Sequence, residues 1–177
     1  MIDSNYRRSI WQHNTAYDIE LSGLSKAELK EVGRLASVDA AKKRTPPVPL
    51  KCLLIISRAV REMPRPRAAT QDDLEKYLST TLQCPGVGIA TAICMLAVQR
   101  NGEYPPMDKK VASGLRALRK IDAEKMKNLT CGRPTKTAIA AFAETYVRDV
   151  IPVWLELRKI RAPSEADNYL ASAGRTS

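Results

Sequence analysis

Thr70-Gln-Asp-Asp-Leu-Glu-Lys-Tyr-Leu-Ser-Thr-Thr-Leu-Gln-Cys84-Pro-Gly-Val-Gly88-Ile-Ala-Thr-Ala92-Ile-Cys-Met-Leu-Ala-Val-Gln99 is the stretch whose spacing decides the fold. Thr70 before two aspartates is a helix start, because a threonine hydroxyl accepts from the orphan N–H groups and acids suit the positive helix end. Leu74, Tyr77 and Leu78 then share one helical face. Cys84-Pro-Gly-Val-Gly88 breaks the pattern and reads as a tight turn. From Ile89 the periodicity resumes, with Ile89, Ala92, Ile93, Leu96 and Ala97 at helical spacing. The prediction is a helix, a glycine turn and a second helix over residues 70–100.

The same periodicity extends outward. Upstream, Leu53, Ile56, Val60 and Met63 keep one face, and Leu54 and Ile55 widen it, predicting a well-buried helix from Leu50 to Met63. Pro64-Arg-Pro-Arg67 ends it. Before that, Lys42-Lys-Arg-Thr-Pro-Pro-Val-Pro49 reads as a loop, Ser25-Lys-Ala-Glu28 as a capping box, and residues 1–24 as an N-terminal arm anchored by Trp11, Tyr17 and Leu21. Downstream, Tyr104-Pro-Pro-Met107 is expected to be extended, since a residue before proline avoids the helical region. Asp108 opens a basic helix through Leu118, and Asp122 caps a short one. A long helix follows Pro134, with Ile139, Phe142, Tyr146 and Val150 inside and a kink or split at Pro152 ahead of Trp154. Ser164-Glu-Ala-Asp167 starts the last helix. No two-residue alternation is long enough for a sheet, so the expected fold is all-α: one compact domain over 1–177, or two closely packed helical lobes with a cleft between them.

Composition narrows the function. A chain of 177 residues suits one domain, and 44% hydrophobic residues exclude a disordered basic tail. Lys and Arg outnumber Asp and Glu by 29 to 19, a net charge of +10, which makes phosphate polyanions plausible partners. The four cysteines, at 52, 84, 94 and 131, contain no C-x2-C pair, and His13 is the single histidine. Neither a zinc ribbon, an iron–sulfur loop nor a Ser-His-Asp triad has its residues, so no metal or cofactor is expected. No apolar run approaches the roughly eighteen residues that cross a bilayer, and Met1 to Arg8 lacks the apolar core of a secretory signal. An intracellular protein with no membrane partner is expected.

Physically, the central stretch is a hairpin followed by an extended segment that delivers a carboxylate. Gly86 and Gly88 allow positive φ and close backbone approach, and turn N–H groups plus a helix N-terminus would cradle a phosphate. These residues resemble the helix-hairpin-helix DNA glycosylase superfamily, whose members carry a Leu-Pro-Gly-Val-Gly-x-x-Thr-Ala hairpin and a later aspartate. Pro85, Gly86, Val87, Gly88, Thr91 and Ala92 match, and Cys84 replaces the leucine. Tyr104, Pro105, Asp108 and Lys110 fit the Tyr-Pro-x-x-Asp-x-Arg/Lys pattern of a shorter branch. The resemblance implies that Pro85, Gly86, Val87, Gly88, Ala90 and Thr91, with Lys109 and Lys110, meet the phosphate backbone of duplex DNA. It implies that Asp108 assists cleavage of a glycosidic bond, by stabilising the cationic sugar or activating water.

One position departs from the bifunctional members, which place a lysine two residues after the second glycine. Ala90 stands there and cannot form a Schiff base, so AP lyase chemistry by that route is not expected, whereas base excision alone stays open. The iron–sulfur cysteines of some members are absent as well. Asp108 suits two compatible roles, capping the helix it precedes and stabilising an oxocarbenium-like state. Tyr104 is the candidate wall of a pocket for an extruded base, with packing at a domain seam as its other reading. Trp11 and Trp154 read as core. Lys42-Lys-Arg44 and Arg65-Pro-Arg67 could meet phosphates or be solvated loop charge. Two functions follow: a monofunctional DNA glycosylase-like base-excision repair protein, or a catalytically inactive DNA-binding hairpin module. An RNA- or protein-binding helical domain is a third reading.

Overall fold

The computed structural model describes residues 50–131 and 134–174. The N-terminal arm, the capping box at Ser25, and Lys42-Lys-Arg44 lie outside the described residues. The described residues are mostly helical, with no strand among them. The helices are α1 (Leu50–Glu62), α2 (Gln71–Thr81), α3 (Ile89–Gln99), α4 (Lys109–Ala117), α5 (Ala123–Leu129), α6 (Lys136–Thr145), α7 (Ile151–Leu157) and α8 (Pro163–Ala173). The all-α expectation is met. Among the described residues, no helix is long and apolar enough to cross a membrane.

Local chemistry explains the helix starts. Thr70 and Asp73 form a reciprocal capping box on α2: the threonine Oγ1 accepts from the Asp73 N–H at 3.2 Å, and Asp73 Oδ2 accepts from the Thr70 N–H at 2.9 Å. That bonding, from the threonine hydroxyl first, holds the Asp73 carboxyl below its ordinary range. Asp108, Asp122 and Thr135 cap α4, α5 and α6 singly, each side chain accepting the backbone N–H three residues on. Pro163 takes the first turn of α8, where its missing N–H costs nothing, and Glu165 reaches back to the Ala162 N–H at 3.0 Å.

The long helix expected after Pro134 is interrupted as its proline requires. Pro152 has no N–H to give the carbonyl four residues earlier. The chain widens into a π turn over Tyr146–Val150, where the Ile151 N–H reaches the Tyr146 carbonyl, before α7 continues.

On α1, Ile56, Val60 and Met63 are buried, but Leu54 and Ile55 are 39% and 40% exposed. The expectation of burial around most of this helix is thus corrected. Its core-facing stripe holds Ile56, Ala59, Val60 and Met63, and Leu54 and Ile55 point off that stripe. The side chain of Leu53 lies outside the described residues. The core itself gathers Leu74, Leu78, Ile93, Met95, Phe142, Tyr146 and Trp154, all essentially without solvent contact. Phe142 and Tyr146 stack with ring centroids 5.6 Å apart.

Helices α4 and α8 cross at their backbones. A Cβ on Gly114 would fall 1.7 Å from the Leu170 carbonyl oxygen, so only glycine permits this approach. Gly174 closes the same crossing, since a Cβ there would lie 2.9 Å from the Gly114 nitrogen.

Candidate nucleic-acid interface

The hairpin is built from α2, the turn at residues 82–88, and α3. Tyr77 on α2 donates its hydroxyl to the Ala92 carbonyl on α3 at 2.7 Å, fastening the two arms from the inside. Burial pushes the ionisation of that hydroxyl well above the ordinary tyrosine range. Within the turn, the Cys84 N–H donates to the Thr81 carbonyl at 3.0 Å and the Val87 N–H to the Cys84 carbonyl at 3.1 Å. Gly86 takes φ of 80°, a conformation that a side chain resists.

The turn has two sides. Cys84, Val87 and Ile89 face the core, the Cys84 thiol lying 3.9 Å from the Cys52 carbonyl of α1. This gives Cys84 a packing role. Pro85, Gly86, Gly88 and Ala90 are exposed on the other side, and Thr91 is half-buried. Gly88 is extended at φ −96° and ψ 173°, and an added Cβ would have no neighbour within 4 Å. Positive φ, open to both glycines on sequence, is used by Gly86 alone. Nothing in the fold requires glycine at 88. Gly88 is also the N-cap of α3, and among the described residues no side chain caps this helix end. The first-turn N–H groups at 89–91 thus adjoin a bare backbone with no side-chain cap among the described residues, an arrangement that suits an anion.

Asp108 reaches this neighbourhood on the extended segment 104–107, which is buried over its whole length. Prolines at 105 and 106 keep the segment out of a helix, so its buried carbonyls have no helical N–H partners and are met by side-chain donors. Three aromatic residues provide them. Trp154 Nε1 donates to the Gly102 carbonyl at 3.0 Å, and the Tyr146 hydroxyl to the Pro105 carbonyl at 2.5 Å. Tyr104 donates its own hydroxyl to the Pro64 carbonyl at 2.8 Å. The segment is pinned from α7, from the π turn, and against the loop after α1.

Asp108 then sits exposed at the start of α4, its Oδ1 accepting the Val111 N–H at 2.9 Å. Lys109 and Lys110 beside it are exposed, while Val111 turns inward. Asp108 is close enough to raise the ionisation of Cys94 on α3, which burial pushes up to about 12. The Met107 backbone opposes that rise, and Asp167 on α8 adds to it. Cys94 lies one turn along α3 from Ala90, on the same face. Asp108 is therefore a neighbour of the helix that leaves the glycine turn.

Tyr104 is the site residue that the structure places elsewhere. Its ring has no solvent exposure and its hydroxyl is committed to Pro64. In this conformation it packs at the seam and offers no face to an extruded base. Tyr146, Trp154 and Cys94 escaped the site reading because their partners stand far off in sequence. The available signal was the proline pair, which announces carbonyls in need of donors. Among the described residues, no group of three His, Cys, Asp or Glu side chains could hold a metal ion.

No family model matches the chain, and no characterised protein or solved structure matches it. The resemblance to helix-hairpin-helix glycosylases rests on the residues of the hairpin and of segment 104–110.

Proposed function

We propose that this protein binds the sugar–phosphate backbone of duplex DNA through Pro85–Thr91 and acts inside the cell as a monofunctional, glycosylase-like base-excision repair protein. The observation that carries the reading is Gly88. It has an ordinary backbone conformation and open space around it, so the missing side chain serves something outside the chain. A phosphate seated there would accept from the first-turn N–H groups of α3, with Lys109 and Lys110 adding charge.

Asp108 supplies the chemistry. In a hydrolytic excision the C1′–N bond breaks, the base leaves with the bonding pair and takes up a proton, and water forms the new C1′–O bond. A carboxylate near C1′ stabilises the positive charge that develops on the sugar, or takes the proton of the attacking water. Ala90 leaves no amine for a Schiff base, so the product is an abasic site on an intact strand.

The second reading is a DNA-binding module without catalysis. The burial of Tyr104 favours it, since the aromatic wall expected for a base pocket is used up in packing. One experiment separates the two. Duplexes each bearing one modified base are assayed for free base and abasic sites, with the wild type and Asp108→Asn. Release by the wild type that vanishes in Asp108→Asn, with binding kept, supports the enzyme. Binding without release from any duplex supports the module.

A further inference from the structure

A groove of about 420 Å³ lies between the end of α4, α7 and α8, and the hairpin chemistry makes no use of it. Asp108 and Leu118 bracket α4, so the groove stands roughly ten residues, or about 15 Å, from the proposed catalytic carboxylate. Its floor is apolar, made by Leu118, Pro152, Val153 and Leu157. Tyr169 forms a wall and is 37% exposed, whereas the other aromatic rings among the described residues are buried. The Arg161 guanidinium sits 4.7 Å from the centroid of that ring and holds it in place.

The rim is positively biased. Glu156 is taken up by Lys159, with both carboxylate oxygens at 2.7 Å from the ammonium. Lys120 lines the groove and makes no ion pair with any described residue, and neither does Arg161. Lys120 is set there by the way α4 stops. Arg119 takes φ of 54°, where glycine is usual, and the Lys120 N–H closes the turn on the Leu115 carbonyl at 2.9 Å. A non-glycine residue in that conformation is held at a cost, and it turns Lys120 to the rim.

An apolar floor, an aromatic wall and a rim lysine with no ion pair among the described residues complement a flat aromatic ring that carries an anion, in a volume typical of small-ligand sites. We propose that the groove binds a single nucleotide unit, its base against Tyr169 and its phosphate on Lys120. The site goes beyond the hairpin reading and stands without it for a free nucleotide. The same chemistry also describes an unpaired nucleotide of a strand held at the hairpin.

The test titrates dAMP into the intact chain by calorimetry, with Tyr169→Ala, Lys120→Gln and, as a charge control on α1, Arg61→Ala. The expected result is dAMP binding that each groove variant weakens about tenfold, the scale of a lost stacking contact, and that Arg61→Ala leaves unchanged. Circular dichroism checks that each variant is folded; Lys120→Gln alters only an exposed side chain and keeps the test alive if Tyr169→Ala unfolds. No binding at millimolar dAMP overturns the proposal, as does binding that survives both groove variants or falls equally in Arg61→Ala. A duplex with a one-nucleotide bulge is then compared with its matched form. A Tyr169-dependent preference for the bulge assigns the site to an unpaired nucleotide, and equal binding assigns it to the free one. Loss of duplex binding with dAMP binding intact would remove the hairpin reading alone.

Discussion

Replacing Gly88 by alanine separates folding from binding at one atom. The backbone there is extended, and the new Cβ meets no heavy atom within 4 Å, so the variant builds without displacement. Two small terms act on stability. Alanine caps a helix less well than glycine by a fraction of the roughly 1 kcal/mol that a good cap is worth. Restricting the unfolded chain returns about 0.4–1 kcal/mol. The net is within about 0.5 kcal/mol, a shift of about 1–2 °C in Tm for a chain of this size. Binding has no such cancellation. A methyl group beside the N–H groups of α3 keeps a phosphate from one or two charge-assisted hydrogen bonds, about 2 kcal/mol or roughly 30-fold in Kd. The paired assays are thermal denaturation and fluorescence anisotropy with a labelled duplex at two salt concentrations. Gly86→Ala is the contrast: at φ 80° it pays in folding, by about 1–2 kcal/mol. Unchanged duplex affinity in a folded Gly88→Ala protein would refute the reasoning, and so would a large loss of its stability.

Three further outcomes follow from the packing and the ionisation states. Gly114→Ala drives a methyl group into the Leu170 carbonyl, 1.7 Å away, and is expected to destabilise by about 3 kcal/mol or more in chemical denaturation, since backbone must move. Tyr146→Phe strands the buried Pro105 carbonyl; about 1–3 kcal/mol is lost, and any Asp108-dependent base release falls with it while duplex affinity holds. Cys94 is protonated in the folded chain up to about pH 12, whereas an unfolded thiol ionises near about pH 8.5. The unfolded state therefore binds fewer protons across that window, so stability is full below it and declines as pH rises through it. Denaturation midpoints measured from pH 7 to 10 should fall, and should fall less in Cys94→Ala.

The helices were legible where their signals are local. Thr70 with Asp73, Asp108, Asp122 and the inner face of Leu74, Tyr77 and Leu78 can each be read within a few residues, and each stands in the structure as spacing implies. Periodicity names an apolar side but not how much of it a neighbour covers, which is why Leu54 and Ile55 lie partly outside an interior that spacing alone extends to them. Long-range polar contacts leave no local mark. Tyr146 meets Pro105 across 41 residues and Trp154 meets Gly102 across 52, so their part in placing Asp108 appears only once the chain is folded. The same limit applies to Tyr104, whose extended, pre-proline setting leaves pocket wall and seam packing both open, and whose hydroxyl meets the Pro64 carbonyl 40 residues away. Gly114 likewise carries no local mark of its contact with Leu170, 56 residues away in sequence.

The most direct test of the hairpin as a grip on DNA is a titration of a short duplex into the nitrogen-15-labelled protein, following each backbone amide. The N–H groups of Gly86, Gly88, Ala90 and Thr91 are the ones to watch. Their resonances should move first and furthest, with the effect weakening as salt is raised. Amides that stay still at 86–91 while others shift, or that do not respond to duplex at all, would contradict it.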